Sequence, residues 1–147
     1  MSDMGHFATK QWLLLKFVLE PMPFSYIIHE EQRLVLSIGR GRVTFDDIRA
    51  HRSQLLRDTG FSPTFNQLVD LTATTDTDIS GVYVQWFASD PVFSPTSRRA
   101  AVATRPDIFG VLRQFEAYHE ERARVHVFYE WDSALKWLEI VDVSCRL

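Results

Sequence analysis

What most limits the folds open to this chain is an alternation. Downstream of Pro23, short runs rich in β-branched and aromatic residues take turns with stretches whose apolar residues recur three and four apart. The first two runs, Phe24-Ser25-Tyr26-Ile27-Ile28 and Arg33-Leu34-Val35-Leu36-Ser37-Ile38, flank the polar Glu30-Glu31-Gln32. So short a connection predicts an antiparallel hairpin, with Gly39-Arg40-Gly41 as its exit turn. Helix and strand then alternate. A helix runs from Thr44, its N-cap, towards Gly60, its stop. A strand over residues 66–71 leads into a polar loop over 72–78 and a short helix over 80–89. After a strand over residues 98–104, a helix opens at Pro106 with the clearest apolar stripe in the chain: Ile108, Val111, Leu112, Phe115 and Tyr118. A strand over residues 125–129 and a helix capped by Asp132 finish the pattern. Strands that alternate with helices pair in parallel through right-handed crossovers. The expectation is an α/β fold: a mixed, mostly parallel sheet covered by helices, in the order ββαβαβαβα.

With 147 residues the chain can bury a core of its own, and residues 23–147 read as a single domain. Residues 1–22 are a separate apolar segment. Its run Trp12-Leu13-Leu14-Leu15 is broken by Lys16, far short of the roughly 20 apolar residues a bilayer span needs. Glu20-Pro21-Met22-Pro23 is no signal-peptide cleavage site. Two readings stay open. Trp12, Leu15 and Leu19 share one side of an amphipathic N-terminal helix that packs on the domain or on a second copy of it, or Met22 is the natural start. Sixteen Lys and Arg against nineteen Asp and Glu leave a net charge of −3, no basis for a nucleic-acid partner. The one cysteine, Cys145, permits no intrachain disulfide, as suits a cytoplasmic protein.

Catalytic signatures are missing from the sequence. There is no Gly-x-Ser-x-Gly elbow, and Gly39-Arg40-Gly41 lacks the third glycine of a dinucleotide fingerprint. Glu116, His119 and Glu120 have ligand spacing on a helix, but no second Glu-x-x-His exists to complete a metal site. They read as the solvated tail of that helix. His29 and His126 read as structural strand residues, His51 as part of a helix face with Arg49 and Arg52, and Cys145 as inert. No metal or cofactor is expected, and an enzyme is the least favoured reading.

One stretch carries a resemblance. Leu68-Val69-Asp70-Leu71 ends a strand in an acid, and Asp78-Ile79-Ser80-Gly81 then opens a helix. With the element order, this resembles the SpoIIAA-like branch of the STAS domains, which includes anti-sigma-factor antagonists and is related to the CRAL-TRIO lipid-binding fold. Antagonists of that family carry Asp-Ser-Ser-Gly at this place. The resemblance puts Ser80 at the phospho-acceptor position and Asp78 at the acid before it, while Ile79 departs from the first serine. What it implies is a non-enzymatic regulatory or protein-interaction module, switched at Ser80 and meeting a protein partner or a second copy through Asp70, Thr72, Thr75, Asp78, Ser80 and Gly81. The plain alternative for Ser80 is a helix N-cap. Arg98 and Arg99, opening a strand after Ser94-Pro95-Thr96-Ser97, are either an anion contact or a solvated edge. A second function is open: Trp86, Phe109 and Val111 lining an apolar groove for a small ligand or lipid.

Overall fold

The computed structural model describes residues 22–89, 92–118 and 124–141. The expected N-terminal helix, His119, Glu120 and Cys145 lie outside them. The described elements follow the expected order: β1 (Phe24–His29), β2 (Leu34–Val43), α1 (Phe45–Arg57), β3 (Asn66–Thr77), α2 (Gly81–Ser89), β4 (Arg98–Val102), α3 (Pro106–Tyr118), β5 (Arg124–Phe128) and α4 (Trp131–Leu138). The strands form one sheet in sequence order; β1 and β2 are antiparallel and the remaining pairs parallel.

Period-two alternation divides the strand residues between two faces. On one face Leu34, Leu36, Ile38, Leu68, Ala100 and Val102 pack against Ala134, Leu135 and Leu138 of α4. That core is dense, and Leu34, Leu36, Leu68 and Val102 have no exposed surface. On the other face Val35 meets Leu55 of α1 together with Phe65 and Phe93. Helices α1, α2 and α3 cover this second face, and they enclose a space rather than filling it.

Local chemistry explains the boundaries. Thr44 caps α1 as expected, in a full capping box: its hydroxyl accepts from the Asp47 N–H at 3.2 Å, and the Asp47 carboxylate accepts from the Thr44 N–H at 2.9 Å. The stop differs from expectation. Asp58 closes α1, its carboxylate accepting the Gly60 N–H at 2.9 Å, so a side-chain turn replaces a left-handed glycine. Helix α4 begins two residues earlier than expected, with Glu130 at the N-cap position and Asp132 inside the first turn.

The largest departure is at β2 and β3. Gly39-Arg40-Gly41 is no exit turn, because β2 continues to Val43. Residues 72–77 are correspondingly strand, not loop, pairing Arg40 with Ala73, Gly41 with Thr74 and Val43 with Thr77. The threonines there are β-branched and suit an extended backbone, and Arg42 and Asp76 form an exposed ion pair across the extension. Gly41 takes φ +63°, which its missing Cβ allows, where the register shifts.

At the far edge of the sheet, the Glu116 carboxylate accepts the Val127 N–H of β5 at 2.8 Å while also bonding Arg113. Glu116 is therefore a packed side chain, not part of a solvated tail. Among the described residues no cluster of three or more His, Cys, Asp or Glu could hold a metal ion, and no helix is long and apolar enough to cross a membrane.

Candidate functional site

The space between the sheet and helices α1, α2 and α3 is a cavity of about 170 Å³. Most of its wall is aliphatic or aromatic: Val69 and Leu71 from the sheet, Ile48, Leu55 and Val84 from α1 and α2, and Val111, Leu112 and Phe115 from α3. Strand β3 keeps presenting side chains to it through two irregularities. Between Ile38/Asp70 and Arg40/Ala73, and again between Gly41/Thr74 and Arg42/Asp76, β3 advances one residue more than β2. Each extra residue resets the alternation. Leu71, Thr74 and Thr77, three apart, consequently line the same cavity as Gln67 and Val69. Thr74 is 1% exposed and its hydroxyl has no hydrogen-bond partner.

A polar chain crosses this apolar face. Arg99 donates from Nε to Gln67 Oε1 at 3.1 Å, and Gln67 donates from Nε2 to Ser37 Oγ at 3.0 Å. Ser37 Oγ lies 2.9 Å from His51 Nε2. Ser37, Gln67 and His51 are all buried. Burial pushes the His51 imidazole down to about 4, with the Arg99 charge adding to the effect. His51 is thus neutral at pH 7, and its Nε2 can accept the Ser37 hydroxyl proton. One direction of donation then satisfies the whole chain, from Arg99 through Gln67 and Ser37 to His51. Satisfied networks of this kind hold side chains rigidly.

A serine beside a histidine invites comparison with a nucleophile and its base, and the geometry argues against it. Ser37 has no exposed surface, and its oxygen already accepts from Gln67. The imidazole is packed against Phe24 and Tyr26, with ring centroids 4.4 and 5.2 Å away, rather than oriented by a carboxylate.

Arg99 is the charged end of the chain. Its guanidinium is flanked by the rings of Phe93 at 4.7 Å and Phe115 at 5.3 Å. Burial lowers its pKa from 12.5 to about 10, so it stays charged at neutral pH. Keeping that charge costs the fold on the order of 3 kcal/mol, at about 1.36 kcal/mol per pK unit.

The residues singled out from the sequence are spread over both faces. Arg98 and its neighbour Arg99 point oppositely, as adjacent strand residues must: Arg98 donates to the Trp137 carbonyl at 2.9 Å on the α4 side. Val111 lines the cavity; Phe109 instead stacks on Tyr129 at 3.8 Å, and Trp86 packs outside against Phe45 at 5.5 Å. Asp70 is buried on the α4 side, accepting the Thr72 N–H and hydroxyl at 3.0 and 2.7 Å. Thr75 is exposed. Asp78 accepts the Phe45 N–H at 2.8 Å and so ties the loop to the start of α1. Ser80 is exposed at the head of α2, where its carbonyl accepts the Val84 N–H at 3.0 Å. Gly81 begins that helix in open space.

Sequence reasoning passed over Ser37 and Gln67 and gave His51 only a place on a helix face with Arg49 and Arg52. A signal existed. Ser37 interrupts an apolar strand at an inward position, and the alternation that turns Val35 and Val69 to this face also turns Gln67 and Arg99 inward.

No known protein family and no curated protein sequence matches this chain. Solved structures do match. One is an uncharacterised protein of the DUF3478 family from Shewanella loihica, described as having a SpoIIAA-like fold; it aligns over 78% of this chain and 91% of its own with a TM-score of 0.52. Sequence identity is 13%, so the likeness speaks of fold alone. A hairpin leading into three crossovers between parallel strands, with one further helix on the opposite face, is the architecture expected from the resemblance: this chain has an α/β, SpoIIAA-like fold.

Proposed function

We propose that this domain binds a small apolar molecule in the cavity between its sheet and helices α1, α2 and α3. The observation that carries the reading is the contrast between the two faces. The α4 face is packed solid with leucine, valine and alanine, whereas the other leaves about 170 Å³ unfilled behind a mostly apolar wall. Interiors are normally close-packed. An apolar cavity of about 150 Å³ is known to stay dry and to accept benzene. A ring or a short chain is the matching size. The polar chain has no nucleophile free to react, which favours binding over turnover.

The test is an NMR titration of the full chain with benzyl alcohol. Saturable shifts at Val69, Val84 and Leu112, with Kd on the order of 0.1–1 mM for so few atoms, are expected. Val111→Phe, which fills the cavity from α3, should weaken binding at least tenfold. Shifts confined to the outer surface would sink the proposal.

A regulatory or protein-interaction role for the segment of residues 72–81 is the second reading. Exposed Ser80 at the head of α2 supports it, because a phosphate there would meet the unpaired N–H groups of the first helical turn. Thr74, Thr77 and Ile79 of the same segment line the cavity, so a partner on this segment would sense its occupancy. Intact-mass measurement on protein from its own host decides whether Ser80 carries phosphate.

A further inference from the structure

Arg99 is set into the cavity wall, and no Asp or Glu lines the cavity. Arg52, the other arginine of the wall, is already engaged, with its guanidinium over the Trp86 ring at 5.5 Å. Among the described residues no carboxylate forms an ion pair with Arg99. Its Nε is bound to Gln67, and its four terminal N–H bonds find no acceptor there. A guanidinium set into an apolar wall, with its outer fork open, is half of a recognition pair. Its planar donors match a carboxylate through two parallel hydrogen bonds.

Resting on the ligand-binding reading above, we infer that the cavity takes a small monocarboxylic acid, its ring or short chain against the apolar wall and its carboxylate on Arg99. The groups behind Arg99 explain why the anion carries a single charge. Gln67, Ser37 and His51 are neutral, so they orient the guanidinium without adding positive charge for a dianion. The rings of Phe93 and Phe115 flank the guanidinium. They exclude water from the ion pair and offer an aromatic or aliphatic ligand body its first contacts. Positioning falls to the polar chain: it fixes Nε, so the fork presents one edge to the cavity. A surface arginine would lose far more freedom on pairing.

The test uses phenylacetate and hexanoate, with 2-phenylethanol and 1-hexanol as neutral counterparts of the same shape. Each is titrated into the full chain at neutral pH and followed by NMR, including the Arg99 Nε–H resonance. The acids should bind on the order of tenfold or more tighter than the alcohols, as a charge-assisted pair outweighs a neutral one. Arg99→Met should abolish that preference while the alcohols still bind. Arg99→Lys, which keeps the charge and loses the fork, should retain only part of it. Equal affinity of acid and alcohol for the wild type overturns the carboxylate assignment and leaves the cavity reading standing. If neither acids nor alcohols reach the cavity, both fall. The wild-type comparison needs no variant, so a misfolded Arg99→Met protein would not protect the inference.

Discussion

Acidification should destabilise this protein through one imidazole. In the unfolded chain His51 has a pKa of 6.5, and in the fold burial, helped by the Arg99 charge, lowers it to about 4. Between those values the unfolded state takes up a proton that the folded state refuses. The stability His51 confers is therefore complete above pH 6.5 and declines as the pH falls towards 4. The full loss is about 3 kcal/mol, at about 1.36 kcal/mol per pK unit. Moving from about pH 7.5 to about pH 5 should remove roughly 2 kcal/mol of it, while most carboxylates remain ionised. The groups around the ring account for the shift: Phe24 and Tyr26 exclude water from it, and the Arg99 charge adds to the effect. Urea unfolding at both pH values, on the wild type and on His51→Gln, isolates the contribution. Glutamine is neutral throughout and can still accept from Ser37. The wild type should lose about 2 kcal/mol more than the variant on acidification. Parallel losses in the two proteins would refute the argument, as would an imidazole resonance for His51 that titrates near 6.5.

Two further outcomes follow from the packing. Gly39→Ala places a Cβ 2.5 Å from Leu71 Cδ2 and 2.8 Å from Thr74 Oγ1; it should lower stability in urea by about 1–3 kcal/mol and weaken benzyl alcohol binding, since both neighbours line the cavity. Thr44→Ala removes the α1 capping box and should cost about 1 kcal/mol, with Thr44→Ser restoring most of it; an unchanged urea midpoint would show that α1 is held by its buried face alone.

Much of the architecture could be read from pattern. Element order came from alternation between two periodicities, and Thr44 announced the start of α1 through its own chemistry and that of Asp47. Elements whose partners are distant were harder. Residues 72–77 look like a polar loop because threonine and aspartate dominate them, and their strand character depends on β2 continuing through two glycines to pair with them. Arg99 looks like a solvated strand opening because nothing nearby in sequence neutralises it. Its surroundings come from Gln67, Phe93 and Phe115, brought together by two crossovers. Ser37 and His51 are fourteen residues apart on a strand and a helix. Neither period alone pairs them, although each lies on an inward position of its own element.

The Glu116 contact at β5 has a consequence for self-association. An edge strand offers unpaired N–H and C=O groups as a template on which another chain can extend the sheet. By taking the Val127 N–H at 2.8 Å, the Glu116 carboxylate occupies one rung of that template and places negative charge on it. A strand arriving at β5 would have to displace a carboxylate that is mostly buried, at 16% exposure, and also held by Arg113. The arrangement guards this edge of the sheet against indiscriminate strand addition.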